Sequence, residues 1–242
     1  GLPSPLPELP VQYGDYALWE RRRLQGPRMS ALLAYWRKKL VALEPLELPL
    51  DHPRPAVQKF AGASEAIMVP SAMLDSVDRI ARGSGATRFM ALLAVFIAVL
   101  QRYGGQTDVV VGTPVTNRND PALERLVGFF LNTLVLRVDV AGDPTFAELL
   151  ERVRSTTLEA FAHQELPFER VVQELNPPRD PSRSPLFQVL FVQTDQALSG
   201  HEKRSAAATS VKVRYLAVCS ETYGRDMRDV MSVDVVQATQ YD

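Results

Sequence analysis

Apolar residues at Leu74, Val77, Ile80 and Ala81 recur at helical spacing, so the pattern predicts a helix from Ser71 to Arg82, stopped by Gly83 and Gly85. The next run is different. From Phe89 to Leu100 nearly every position is apolar. Thr87 stands before it as a cap, and Gly104-Gly105 follows Tyr103 as a stop. A helix apolar nearly all round belongs in a core. Asp108 to Val115, with Val109, Val110 and Val111 together, reads as a buried strand. Leu134, Leu136, Val138 and Val140 alternate with Val135, Arg137 and Asp139, which predicts a second strand. Asp143-Pro144-Thr145 opens the clearest helix. Thr145 and Glu148 have capping-box spacing, and Phe146, Leu149, Leu150, Val153, Ala160 and Phe161 keep the helical period. Pro167 opens another, with Phe168, Val171, Val172 and Leu175 on one face and Asn176-Pro177-Pro178 at its end. Leu186 to Val192 reads as a further buried strand.

The two ends are less regular. Residues 1–10 hold four prolines and read as an extended linker. Residues 11–25 suggest a short helix carrying Tyr13, Tyr16 and Trp19, and residues 30–41 a second with Leu32, Tyr35, Trp36 and Leu40. Leu48 to Pro55 contains three prolines and should be irregular, and Glu65 to Val69 fits a strand. From about Gly200 the chain is polar and poorly patterned. Strands and helices alternate, so the fold class is α/β or mixed α+β.

Composition narrows the function classes. A hydrophobic share of 46% in 242 residues supports a sizeable core. The 27 basic and 28 acidic residues nearly cancel, which excludes the clustered basic excess of a nucleic-acid binder. Arg21, Arg22 and Arg23 form the one tight basic run and read as a solvated helix face. Cys219 is the single cysteine, so no intrachain disulfide forms, a Cys/His metal site is not expected, and a reducing cytoplasm fits. The run from Phe89 to Leu100 is shorter than the roughly 20 residues that span a bilayer, and no secretory signal opens the chain. Gly1 at the start suggests a processed or excised piece.

Candidate chemistry is sparse. His52 precedes Pro53 in a loop, His163 falls at a helix end, and His201 lies in the weak tail. None has an aspartate three or four places on. There is no Gly-x-Ser-x-Gly elbow and no phosphate-binding glycine loop. No complete catalytic constellation is visible.

Several segments carry a resemblance, in order along the chain. They are Tyr13-Gly14-Asp15-Tyr16-Ala17-Leu18-Trp19, Val127-Gly128-Phe129-Phe130-Leu131-Asn132-Thr133, His163-Gln164-Glu165-Leu166-Pro167-Phe168-Glu169 and Arg179-Asp180-Pro181-Ser182-Arg183-Ser184-Pro185-Leu186. Val111 to Val115 and Leu50 to Pro55 read the same way. Over about residues 5–195 the chain resembles the condensation domains of nonribosomal peptide synthetases.

The resemblance implies a chloramphenicol acetyltransferase-like lobe, the C-terminal half of a two-lobed, V-shaped domain. Residues 1–55 would end the N-terminal lobe and link the two, 56–199 would form the C-terminal lobe, and 200–242 would be its poorly matched end. It implies amide formation between thioesters carried on the phosphopantetheine of upstream and downstream peptidyl carrier proteins. The partners would be those carriers, an adjacent adenylation domain and the N-terminal lobe, with no nucleic acid, no membrane and no cofactor bound by the chain itself. The family's catalytic histidine belongs to a His-His-x-x-x-Asp-Gly motif that normally precedes the first segment. No residue here inherits it, so the fragment is expected to be inactive alone. Asn132, with Gly128, Phe129 and Thr133, is expected at the substrate tunnel, and Trp19 at the junction with the other lobe. Tyr13, Asp15, His163, Pro167, Phe168, Arg179, Asp180 and Arg183 are expected to be structural. Val211 to Thr222 and Ser232 to Val236 faintly resemble the strands that follow in the family, while Tyr223 to Met231 does not fit. The alternatives are a non-catalytic carrier-docking module and an epimerisation-type relative.

Overall fold

The computed structural model describes residues 8–51, 53–58, 65–194, 208–215 and 233–238. His52, His201, Cys219 and the segment 223–231 lie outside them. The elements run α1 (Tyr13–Arg23), α2 (Gly26–Lys39), β1 (Glu65–Met68), α3 (Ser71–Gly83), α4 (Arg88–Gly104), β2 (Asp108–Thr116), β3 (Leu131–Asp139), α5 (Phe146–Ala162), α6 (Phe168–Leu175), β4 (Val189–Thr194), β5 (Ala208–Tyr215) and β6 (Val233–Ala238). A short 3-10 turn at Pro121–Leu123 interrupts the connection from β2 to β3.

The strands form one mixed sheet in the order β1-β6-β5-β4-β2-β3. β2 and β3 pair antiparallel along their whole length, from Asp108 opposite Asp139 to Thr116 opposite Leu131. β4 runs parallel to β2, while β5 and β6 extend the sheet towards β1. α4 packs on β2 and on α5, and α5 packs on β3. The helix expected to be apolar all round is α4. It buries Met90, Ala91, Leu93, Ala94, Ile97 and Leu100, and Gly105 ends it in the left-handed conformation that glycine adopts at little cost. Leu32 and Trp36 of α2, with Leu40 and Leu46 after it, join the same core, while Tyr16 of α1 belongs to a smaller cluster with Leu123, Leu126 and Phe130. Among the described residues no single helix is long and apolar enough to cross a membrane.

Three of the boundaries that differ from the sequence pattern have a local cause. α2 starts at Gly26, because Pro27 sits in the first turn, where its missing N–H breaks no bond. Pro167 caps α6 from outside: its carbonyl accepts from Arg170 and Val171 while the helix proper begins at Phe168. β4 starts at Val189, not Leu186. Leu186 and Phe187 are buried before the strand pairs, and the Phe187 ring lies over Gly112, where a Cβ would stand 2.5 Å from it.

Candidate functional site

Asn132, near the start of β3, is 8% exposed and fully bonded. Its Nδ2 donates to the carbonyls of Gln164 (2.7 Å) and Leu166 (2.8 Å). Its Oδ1 accepts from the backbone N–H of Thr133 (2.8 Å) and Phe168 (2.9 Å). An amide side chain has two donor hydrogens and two lone pairs, and all four are engaged. The connection from α5 to α6 must otherwise bury carbonyls and an N–H without partners, and one side chain meets that need. The residue expected at the substrate tunnel is thus bonded on all four positions to backbone groups. Its amide has no group left to offer a substrate, and it works as a clamp that fixes the α5–α6 loop on β3.

A second joint holds the connection between β2 and β3. The Tyr13 ring lies on Gly128, where a Cβ would fall 2.2 Å from its nearest ring carbon. The Tyr13 hydroxyl donates to the Phe129 carbonyl (3.1 Å). Phe130 is buried between Tyr13, edge-on at 5.4 Å, and Tyr16 at 4.7 Å. The Arg118 guanidinium stands 3.9 Å over the Phe130 ring and donates to the carbonyls of Leu123 and Leu126, the latter at 2.8 Å. Asp15 steadies α1 by accepting from the Gln12 N–H (3.0 Å). Phe129 is not a core residue: it is 71% exposed beside Val127 at 91%, and Trp19 is 52% exposed on α1. Thr133 is partly buried, opposite Pro114.

His163 ends α5. Its Nδ1 donates to the Glu159 carbonyl (2.7 Å), its ring stacks on Tyr35 at 3.7 Å, and its own carbonyl accepts from Trp36 Nε1 (3.2 Å). Those contacts are those of a helix terminus, as the sequence suggests. Burial, helped by Glu159, pushes the Tyr35 phenol above its ordinary range.

Glu165 carries no signal of its own in the sequence. Arg23 (2.9 Å) and Arg28 (2.5 Å) both grip it, tying α1 and α2 to the α5–α6 loop. All three arginines of the basic run are exposed, as a solvated helix face requires, and Arg23 in addition pairs with Glu165. The hydrogen bond from Arg23, with Arg28 adding to it, holds the Glu165 carboxyl below the ordinary carboxylate range against a desolvation that opposes it. A folded-state pKa below the unfolded one adds stability above the unfolded pKa, lost as pH falls through the folded value. Glu165→Gln should flatten the acid limb of a stability-versus-pH curve below roughly pH 4, measured by denaturant unfolding. An unchanged acid limb would remove this brace from the account.

The last motif fastens a different edge. Asp180 Oδ1 accepts from the Ser182 N–H (2.8 Å) and hydroxyl (2.6 Å), which hold its carboxyl low. Arg183 pairs with Asp180 (3.3 Å) and with Glu47, and the Pro181 carbonyl accepts from the Gln58 N–H (2.8 Å). This loop thus secures the extended segment before β1. Arg179 is exposed. Among the described residues no group of three or more His, Cys, Asp or Glu is placed to hold a metal ion.

Three of the four segments thus converge. α1, the strand start at Asn132 and the α5–α6 loop meet through Tyr13–Gly128, Arg23–Glu165 and Asn132–Gln164. Comparison with known proteins fits this convergence. Malpibaldin synthetase of Mortierella alpina is 49% identical over 192 residues, 79% of this chain but 4% of its own length. Phosphinothricin tripeptide synthetase PhsC of Streptomyces viridochromogenes is 46% identical over 81% of this chain and 18% of its own. The chain thus spans a small part of these relatives. Among solved structures, the X-domain from teicoplanin biosynthesis superposes with a TM-score of 0.71 at 30% identity, covering 77% of this chain and 43% of that one. The same X-domain in complex with OxyB gives 0.73 at 26%, covering 80% and 50%. The expected chloramphenicol acetyltransferase-like, mixed α/β fold is what these neighbours share. The Condensation domain family profile matches residues 3–221, and the chain belongs to the condensation-domain family of nonribosomal peptide synthetases.

Proposed function

We propose that this chain is the C-terminal lobe of a peptide-forming condensation domain, in which an acceptor amine attacks a donor thioester, both carried on phosphopantetheine arms of peptidyl carrier proteins in the cytoplasm. Residues 1–55 serve as the junction with the other lobe, 56–199 as the body and 200–242 as its end. The observation that carries the reading is the joint built from the YGDYALW, VGFFLNT and HQELPFE segments, which leaves Phe129 exposed. Gly128, Phe129 and Thr133 face the substrate tunnel, and Asn132 stands behind them as a positioning residue. The three histidines of the sequence include no adjacent pair, so the catalytic histidine is supplied from outside this chain, which alone forms no amide. An adjacent adenylation domain loads the acceptor carrier.

The test is transfer by the intact parent domain between two loaded carrier proteins, read by mass spectrometry of the acceptor carrier. The expected result is an elongated acyl chain on that carrier, with none from this chain alone. Product from this chain alone would overturn the division of labour. A second reading is a docking module without chemistry, favoured by the similarity to an X-domain solved in complex with OxyB. Carrier or partner binding by an intact domain that never yields product would select it.

A further inference from the structure

The connection from β2 to β3 is a closed loop. At its neck the Asn117 N–H donates to the Phe130 carbonyl (2.9 Å). Between them residues 118–129 carry only the 3-10 turn at Pro121–Leu123. A loop of that length keeps one shape only if something inside it holds it. Its apolar anchors are local: Leu123, Leu126 and Phe130 are buried with Tyr16 in a cluster separate from the main core. Val127, Gly128 and Phe129 are exposed. Arg118 stands at the neck, half-buried. Its Nη1 donates to the Leu123 carbonyl and its Nη2 to the Leu126 carbonyl (2.8 Å). Its guanidinium carbon lies 3.9 Å from the centre of the Phe130 ring. One side chain thus meets the loop in its middle, along its return limb and at its closing residue. A planar fork can reach two carbonyls and cover an aromatic face together, and an ammonium group cannot. The Leu123 carbonyl also accepts the Leu126 N–H (3.2 Å), so both of its lone pairs are filled.

We propose that Arg118 is a positioning residue for amide transfer: it fixes the loop 119–129 from within, and through it the places of Gly128 and Phe129. The inference rests on the reading of the chain as a lobe of a peptide-forming domain. It is separate from the Tyr13 joint. Tyr13 holds the loop from α1, at Gly128 and Phe129, whereas Arg118 holds it at Leu123 and Leu126. The contacts of Arg118 are all to the loop and to the residue that closes it, so its effect on the reaction passes through the backbone it gathers. Because the apolar cluster under the loop is small and apart from the main core, loosening it leaves α4, β2 and α5 packed as they are.

The test is Arg118→Lys in the intact parent domain, which keeps the charge and removes the fork. Hydrogen exchange reads the clamp. The amides of Leu123, Glu124 and Leu126 donate within the loop and should exchange about tenfold faster, with those of α4 unchanged. Unchanged exchange in the loop would overturn the clamp, and so would equal acceleration in α4, which marks a global loss. Transfer between loaded carrier proteins reads the role. The kcat should fall about tenfold with the KM for both carriers unchanged, a loss that misplacing a positioning element by less than 1 Å can produce. A variant as fast as its parent would show that charge alone suffices, and a loss confined to KM would move the effect to carrier binding; either result overturns the positioning role. An active parent with an equally active Arg118→Lys variant refutes this inference and leaves the activity reading intact. A parent that forms no product refutes the activity reading, and the exchange result still decides whether Arg118 holds the loop.

Discussion

Asn132→Asp is expected to cost about 3–5 kcal/mol at neutral pH and to lower the thermal midpoint of the intact domain by about 10 °C. The new carboxylate keeps the two acceptor positions towards Thr133 and Phe168. It turns its second oxygen against the carbonyls of Gln164 and Leu166, which now receive bonds of 2.7 and 2.8 Å. Two carbonyl dipoles and burial disfavour the charged form, so the folded-state pKa of the new carboxyl rises above its unfolded value. The sign follows. Below the unfolded pKa the protonated carboxyl still donates one hydrogen bond and the defect is smallest. As pH climbs through the folded pKa that bond is lost and the defect becomes complete. Asn132→Ala removes all four bonds without adding charge, so its cost should not vary with pH. Denaturant unfolding of both variants from pH 4 to 8 separates the cases. An Asp variant as stable as the parent at pH 7 would refute the clamp, and a defect independent of pH would refute the electrostatic part of it.

That clamp shows where a sequence stops being readable. The core is legible because its signals are local. Thr87 and Thr145 cap their helices from three residues away, and the period of α4 or β2 is visible within a dozen positions. The alternation that places Leu134, Leu136 and Val138 inward runs two steps further back. Carried to Asn132 and Phe130, it puts both inside and leaves Phe129 and Leu131 outside, which is the observed arrangement. Phe130, not Phe129, is the core member of that aromatic pair. The functions of Asn132, Arg23 and Arg118 depend instead on distant partners. Asn132 bonds carbonyls 32 and 34 positions away, and Arg23 meets Glu165 at a separation of 142. A run of three arginines carries no sign of which one is engaged. The motif match marks the right segments, since the folded joints fall on Tyr13, Gly128, Asn132 and Glu165. It cannot say that Asn132 spends all four of its bonds on the backbone, because that depends on counting donors and acceptors in space.

Gly128→Ala is expected to slow transfer by the intact domain about a hundredfold, with a stability loss of only about 1–2 kcal/mol. The added methyl would fall 2.2, 2.6 and 2.8 Å from three Tyr13 ring carbons, where ordinary contact begins near 3.4 Å. The ring must therefore retreat by more than 1 Å. Tyr13 is partly exposed, so it can swing outward without opening the core, which keeps the stability cost low. The same swing breaks the bond from its hydroxyl to the Phe129 carbonyl and releases the loop that holds Val127 and Phe129 outward. Misplacing a positioning element by about 1 Å is enough for a loss of that size. A double-mutant cycle with Tyr13→Ala isolates the cause. If the ring is what the methyl strikes, Gly128→Ala should add little once Tyr13 is already alanine. Additive losses would place the damage elsewhere in the loop. A Gly128→Ala domain as fast as its parent would show that the position of Phe129 does not govern transfer, and the joint between α1 and the strand start would then be purely structural.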